Sequence, residues 1–328
     1  MQDIADRLGL TKVSVSKALN GQSGVSRETR ARILETAKQM GYLGKDGNSA
    51  ERSQRFAMIV PKRFFLETEG FYTEIYYYLN KFCLRDGHQL YSIVLTAEEE
   101  ADGILPQTLE RMPMDGVFLM GEMHDRYIKM LGEQKMQIVA VDFYKKELQT
   151  DCVLIDNFFL GYCAAQYLLE KGHRKIGFVG NIYQTDSIMD RYFGYCKALM
   201  LAGIPLREDW RLVNNNEDNF YSMDIALPQE LPTAFVCHCD MAGYYLIESL
   251  HRTGKRVPED VSIISFDNTA LCERTTPRLT SFDVNRREIA ETAYRCMLEK
   301  RPNETAGRRR FISNSLAERD SVREMEFE

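Results

Sequence analysis

Ten consecutive residues, Thr11-Lys12-Val13-Ser14-Val15-Ser16-Lys17-Ala18-Leu19-Asn20, carry the most chemically pointed pattern in the chain. On a helix, Val15, Ala18 and Leu19 fall at i, i+3 and i+4 and share an inward face. Lys12, Val13, Ser16, Lys17 and Asn20 are left on the other side. Thr11 can cap the helix, its hydroxyl accepting from a backbone N–H two or three residues on. The outward set has two cations, short hydrogen-bonding groups and one methyl-bearing side chain. Such a set suits a DNA major groove: Lys donates to guanine N7 or O6, Val touches a thymine methyl, and Ser reaches a phosphate. Lys12, Val13 and Lys17 are expected to face bases. Thr11, Ser14, Ser16 and Asn20 are expected to position the nucleic-acid backbone.

The elements around this helix are short. Gln2 to Leu8 is an amphipathic segment with Ile4, Ala5 and Leu8 on one side, and Gly9 breaks it. Two short helices about a glycine-containing turn make a helix-turn-helix. After a loop from Gly21 to Val25, Ser26 caps a third helix, whose Ile33, Leu34, Ala37 and Met40 can close a three-helix core. The polar, Gly- and Ser-containing stretch after Tyr42 marks a linker. We place a headpiece at 1–43, a linker at 44–55 and a larger body at 56–328.

From Phe56 onward, apolar strands alternate with helices. Strands are expected at 56–60, 88–95, 116–120, 137–141, 152–155, 175–179, 233–237 and 261–266. Helices are expected near 70–85, 124–133, 159–171, 186–202 and 240–253. Continuous apolar strands between helices argue for parallel sheets covered on both faces. There are too many strands for one sheet, so the fold class is α/β: a small all-α headpiece followed by two doubly wound parallel-sheet lobes.

Such sheets bind ligands beyond the carboxyl ends of their strands. Asp142 follows Ile138–Val141, and Asp267 follows Ile263–Phe266. Arg191 lies at the start of a long helix, and Phe71 and Tyr72 open the first helix of the body. Carboxylates and a guanidinium fork suit vicinal hydroxyls, and aromatic faces stack on a sugar ring or a flat base. Each has a plainer reading: a turn cap for Asp267, an interlobe ion pair for Arg191, core packing for Phe71 and Tyr72. Tyr76-Tyr77-Tyr78 reads as packing surface.

Taken together, Asp3-Ile4-Ala5, Val15–Gly21, Val25-Ser26, Thr29-Arg30 and Gly41-Tyr42 resemble the DNA-binding headpiece of the LacI/GalR family of bacterial transcription regulators. The body resembles that family's periplasmic-binding-protein-like sensor over nearly all of 56–321. The landmarks are Asp156-Asn157, Gly172–Phe178, Arg191–Tyr195, Pro232–Ala234, Val257–Val261, Phe266–Asn268 and Glu318–Ser321. The resemblance implies an N-lobe of about 56–155 plus 283–314, and a C-lobe of about 156–282 plus the C-terminal tail. It implies that Arg191 and Asp267 hold an effector, with Asp142, Phe71 and Tyr72 lining the cleft. It further implies a homodimer on a near-palindromic duplex operator, probed by a carbohydrate-type small molecule. Two departures stand out. The linker lacks the Pro-Asn and Ala-Arg-x-Leu-like stretch that folds as a minor-groove hinge helix. Cys239 stands before Asp240 where the family often has Asn.

Composition bounds the alternatives. The chain has 328 residues, 44% hydrophobic, with a net charge of −6. Residues 1–50 hold eight Lys/Arg against five Asp/Glu, so a basic head sits on an acidic body. No apolar run approaches the roughly 18 to 20 residues of a membrane span. The start, Met1-Gln2-Asp3, has no basic or apolar signal character, so a cytoplasmic location is expected. The eight cysteines are irregularly spaced and read as reduced, buried thiols. The tight Cys237-His238-Cys239-Asp240 cluster lacks a second ligand pair, so neither a metal nor a cofactor is expected. No dinucleotide, P-loop or nucleophile-elbow motif is present, and no enzyme is expected. The tail from Arg323 is short and polar for a tetramer-forming helix, which favours a dimer. The competing reading is a cytoplasmic sugar- or purine-binding protein with a vestigial DNA role.

Overall fold

The computed structural model describes all residues except 20–22, 41–52, 68–69, 135, 147–148, 215–220, 300–306 and 326–328. The linker expected at 44–55 lies almost wholly outside the described residues, as do Asn20, Gly41 and Tyr42. The chain divides into two compact units, residues 1–53 and 54–328.

The first unit is three helices, α1 (Gln2–Leu8), α2 (Lys12–Leu19) and α3 (Arg27–Gln39). Gly9 ends α1 in the left-handed region at φ 64°, which an L side chain resists. That turn lets the Leu10 N–H bond back to the Ala5 carbonyl at 2.9 Å, so α2 starts at once. The Thr11 Oγ accepts from the Ser14 N–H at 3.1 Å, and the Ser26 Oγ from the Thr29 N–H at 3.1 Å. Ile4, Ala5, Val15, Ala18, Ile33 and Ala37 form the buried core, with Leu34 and Met40 packed beside it.

The second unit contains two six-stranded sheets. The first is built from β1 (Arg55–Pro61), β2 (Gln89–Leu95), β3 (Gly116–Met120), β4 (Gln137–Val141), β5 (Asp151–Leu154) and β11 (Arg309–Phe311). The second comprises β6 (Ile176–Val179), β7 (Arg211–Leu212), β8 (Ala234–Cys237), β9 (Ser262–Asp267), β10 (Thr280–Asp283) and β12 (Ser315–Ala317). Strand orders are β11-β5-β4-β3-β1-β2 and β12-β10-β9-β8-β6-β7, so the two sheets repeat one topology. All pairings are parallel except β10 with β12. The central strands are buried on both faces, as an all-apolar Val117-Phe118-Leu119-Met120 requires. Edge strand β2 alternates instead.

Helices cover both sheets: α4 (Lys62–Glu67), α5 (Phe71–Arg85), α6 (Ala97–Asp102), α7 (Gln107–Arg111), α8 (Asp125–Gly132), α9 (Asn157–Glu170), α10 (Asp186–Leu201), α11 (Asp240–Arg252) and α12 (Arg286–Leu298). The chain leaves the first sheet after β5, returns after β10 through α12, and crosses again between β11 and β12. Gln137 donates to the Cys296 carbonyl at 3.0 Å and Tyr294 to Asp86 at 2.9 Å, which ties α12 to the first lobe. Short elements α4, α6, α7, β7, β11 and β12, and the longer β10 and α12, go beyond the sequence expectation.

α9 and α10 pack in backbone contact. A Cβ on Gly161 would lie 1.9 Å from the Arg191 carbonyl oxygen, and one on Gly194 would lie 2.0 Å from that of Phe158. Only glycine permits this approach, which brings Arg191 beside the start of α9. Gly161→Ala should lower unfolding free energy by about 1–3 kcal/mol or more, measured by urea titration. Gly132→Ala, at a helical position with open space around it, should stabilise by about 0.5–1 kcal/mol.

Candidate functional site

A cavity of about 210 Å³ opens between the carboxyl ends of the two sheets. Phe71, Tyr72, Asp142, Arg191 and Asp267 all line it. Phe71 and Tyr72 are also deep in the core, each 5% exposed, so both readings of them apply at once.

Asp142 and Asp267 occupy matching places, since β4 and β9 hold the same position in their sheets. Asp142 follows β4 and Asp267 ends β9, both with positive φ, 68° and 101°. Left-handed backbone costs an L residue about 1–3 kcal/mol unless its surroundings fix it, and Asp and Asn tolerate it best. The turn swings each carboxylate off its strand and into the cavity. Their partners then differ. Asp142 accepts from the Tyr72 hydroxyl at 2.8 Å, and its other oxygen is buried without a protein partner. Asp267 receives Arg191 at 3.4 Å.

Arg191 is 6% exposed. Its Nε donates to Asn157 at 2.8 Å, one Nη donates to the His238 carbonyl, and the other reaches Asp267. Its guanidinium carbon lies 4.7 Å from the Phe266 ring centroid. These partners all belong to the second lobe, so the interlobe ion pair considered for Arg191 is not what forms. Three of its five N–H groups are used here, which leaves two to meet a ligand.

Burial dominates the electrostatics. It raises the carboxyl of Asp142 above its ordinary range, opposed by the Tyr72 hydrogen bond and by Arg191. It pushes Asp267 up to about 6, again against the pull of Arg191. Burial also holds His238 down to about 3, so the ring is neutral. The Val179 carbonyl can only accept, so His238 Nδ1 carries the proton, at 3.2 Å. Nε2 then accepts from the Tyr221 hydroxyl at 3.3 Å.

Other lining residues were not assigned to the cavity from sequence, where His238, Cys239 and Asp240 stood out only as a tight cluster and Cys239 as a departure. Phe64 follows β1, Glu122 follows β3, and His238 and Cys239 follow β8. Gly121, at φ 74°, makes room for Phe64: a Cβ there would be 2.7 Å from that ring and 2.9 Å from the Tyr72 hydroxyl. Asp240 also touches the cavity, but its carboxylate accepts from Ser265, Ser281 and both the N–H and hydroxyl of Thr269 at 2.6–2.9 Å. It fastens α11 to β9 and β10. Cys239 contributes a buried thiol in contact with His238 at 3.4 Å. Among the described residues, no group of three or more His, Cys, Asp or Glu could hold a metal.

In the first unit, Thr11, Lys12, Val13 and Lys17 are exposed and Ser14 and Ser16 half-buried. Val13 is 63% exposed, an unusual place for a β-branched apolar side chain. Thr11 and Ser14 share a hydroxyl contact of 2.9 Å, so Thr11 is occupied as a cap. Asn20 is outside the described residues.

Fold and site define a class: a helix-turn-helix headpiece in one chain with a two-lobed, periplasmic-binding-protein-like body. The periplasmic binding protein-like domain family matches residues 165–322, and residues 1–44 match the family described as bacterial regulatory proteins, lacI family. The chain thus carries a lacI-family helix-turn-helix domain and a periplasmic-binding-protein-like domain, and is homologous to PurR and LacI-family regulators. The HTH-type transcriptional repressor PurR of Vibrio cholerae is 26% identical over 344 residues, covering 99% of this chain and 98% of that protein. The solved complex of the transcriptional regulator CelR with cellobiose matches with a TM-score of 0.68 at 25% identity, covering 97% of this chain and 98% of that one. A LacI transcriptional regulator from Bacillus cereus subsp. cytotoxis matches with a TM-score of 0.72 at 25% identity, over 84% and 100% of the two chains. Among the described residues, no helix is long and apolar enough to cross a membrane.

The raised Asp267 carboxyl has a testable consequence. In the folded protein it keeps its proton up to about 6, whereas an unfolded Asp loses it near ~4. Between these values the folded state binds more protons, so this group's contribution to stability falls as pH rises through the window. Asp267→Asn lacks that titration. Its melting temperature relative to the natural chain should therefore rise between pH ~4 and ~7. A difference independent of pH would mean that Asp267 titrates normally.

Proposed function

We propose that this protein is a DNA-binding transcriptional repressor whose operator affinity is set by a small polyhydroxylated molecule, most simply a carbohydrate, held between the two lobes. The observation that carries the reading is the cavity itself. It offers directional acceptors in Asp142 and Asp267, a buried fork in Arg191, and aromatic surface in Phe64, Phe71 and Tyr72. Hydroxyl groups that donate to a carboxylate and accept from a guanidinium are met by this set. The CelR complex with cellobiose supports the class of ligand, and the repressor name of the Vibrio cholerae relative supports the direction of control.

The exposed face of α2 is the proposed DNA-reading surface. Lys12, Val13 and Lys17 reach base edges, while Thr11, Ser14, Ser16 and Asn20 set the helix on the phosphates. A homodimer places two such helices on the half-sites of a near-palindrome. Ligand binding between the lobes then changes operator affinity as a coupling free energy between two sites. The protein works in the cytoplasm in this reading.

Two measurements test it. Lys17→Ala should weaken binding to a selected operator by about 1–3 kcal/mol and relax preference at one base pair. An unchanged affinity and preference would reject the assignment of α2. A thermal-shift screen with mono- and disaccharides should give a hit that Asp267→Ala loses. At about 100 times its dissociation constant, such a ligand adds roughly 2.7 kcal/mol. A hit retained in Asp267→Ala would place the ligand elsewhere.

A further inference from the structure

The cavity is lined by seven carboxyl side chains and two guanidiniums. Most of these carboxylates are committed to the protein: Asp156 caps α9, Asp240 fastens α11, and Asp267 meets Arg191. Glu122 is different, because it is carried by the first lobe and one of its oxygens meets the second. Its Oε2 accepts from the Asp186 N–H at 2.8 Å, the first turn of α10. That helix is 16 residues long. Thr185 caps this end and Asp186 lies in its first turn, and the helix dipole favours an anion where Glu122 sits.

Glu122 is held there from several sides. The Lys145 ammonium lies 2.5 Å from its Oε1. Its backbone carbonyl accepts from Arg63 at 2.9 Å. Arg63 in turn forks onto the fully buried Glu100, which also accepts from the His124 N–H at 2.8 Å. The loop after β3 is thus fixed at both flanks of Glu122, and the carboxylate is presented to α10 in a set geometry.

We propose that Glu122 is a specificity determinant of the effector site: it fills the anion position at the start of α10, so the cavity admits uncharged polyhydroxylated ligands and turns away their phosphorylated or carboxylated counterparts. The inference rests on the cavity being the effector site. An incoming phosphate would have to displace Glu122 from the helix N-terminus or sit against it, and like charges in a part-buried space repel strongly.

The test uses inorganic phosphate as the probe on the full chain, followed by thermal shift and calorimetry at fixed ionic strength. Phosphate should not stabilise the natural protein. Glu122→Gln keeps the shape, removes the charge, and leaves Lys145 with only its longer contacts to Asp186 and Asp125, at 3.6 and 3.8 Å. It should gain phosphate affinity by about tenfold or more. Lys145→Met removes the ammonium beside Glu122 and its 3.6 Å contact to Asp186 of the second lobe while keeping the carboxylate, and should still refuse phosphate. Phosphate binding equally well to the natural chain and Glu122→Gln would overturn the proposal, as would no gain in Glu122→Gln. A gain in Lys145→Met as well would assign the effect to loosened lobes and overturn it too. Glucose and cellobiose run on the same proteins separate the two readings. If no carbohydrate binds but Glu122→Gln alone gains phosphate, the sugar assignment fails and the anion gate stands.

Discussion

Arg191 is a cation almost wholly removed from water, and much of the second lobe is shaped by the need to make that tolerable. An unpaired buried charge costs several kcal/mol, so each face of the guanidinium must meet something. Asn157 at the start of α9, the His238 carbonyl after β8, Asp267 after β9 and the Phe266 ring supply it. Those groups come from three separate places in the fold, the start of α9 and the ends of β8 and β9. The glycine-to-backbone contacts of α9 and α10 are what let Asn157 and Arg191 approach. His238 is neutral first because it is buried, and Arg191 beside it adds to this by repelling a second cation.

The two sheets share a topology, yet their matching aspartates have unlike surroundings. Asp267 is compensated by a cation, whereas Asp142 has only the Tyr72 hydroxyl and one oxygen with no protein donor. A buried acceptor without a donor is rare and costs about 1–3 kcal/mol. A ligand hydroxyl at Asp142 would satisfy an atom the fold leaves wanting. At Asp267 it would add to a pair already made. The first lobe therefore has more to gain per hydrogen bond from an occupied cavity.

Much of this was legible in the sequence, and the rest was hidden for a definite reason. An apolar run ending in Asp, as at Val139-Ala140-Val141-Asp142 or Ile263–Asp267, already places a carboxylate at the binding end of a parallel sheet. The headpiece was legible because its caps and apolar spacing are local. Phe64 and Glu122 were missed, and His238 and Cys239 were noted only as a tight cluster and as a departure before Asp240. They follow β1, β3 and β8, and lie where the connections from neighbouring parallel strands leave in opposite directions. That place is defined by strand order, which no local pattern records. The edge strand β11, Arg309-Arg310-Phe311, was missed because it is three residues long and half polar. Arg286 was missed because its role depends on two loops far away in sequence.

Arg286 joins the two aspartates into one mechanical unit. Its guanidinium donates to the backbone carbonyl of Asp267 and, at 3.2 Å, to that of Asn268, both in the left-handed turn after β9. The same side chain pairs with Glu74 at 2.5 Å. Glu74 lies in the first turn of α5, two residues after the Tyr72 that donates to Asp142. A continuous path therefore runs from the Asp267 turn through Arg286 and the α5 N-terminus to Asp142, crossing from one lobe to the other. A ligand bridging Asp142 and Asp267 would pull on both ends of this path at once. That is the geometry needed for a small molecule to bias the relation between two lobes by differential contacts and not by bulk alone.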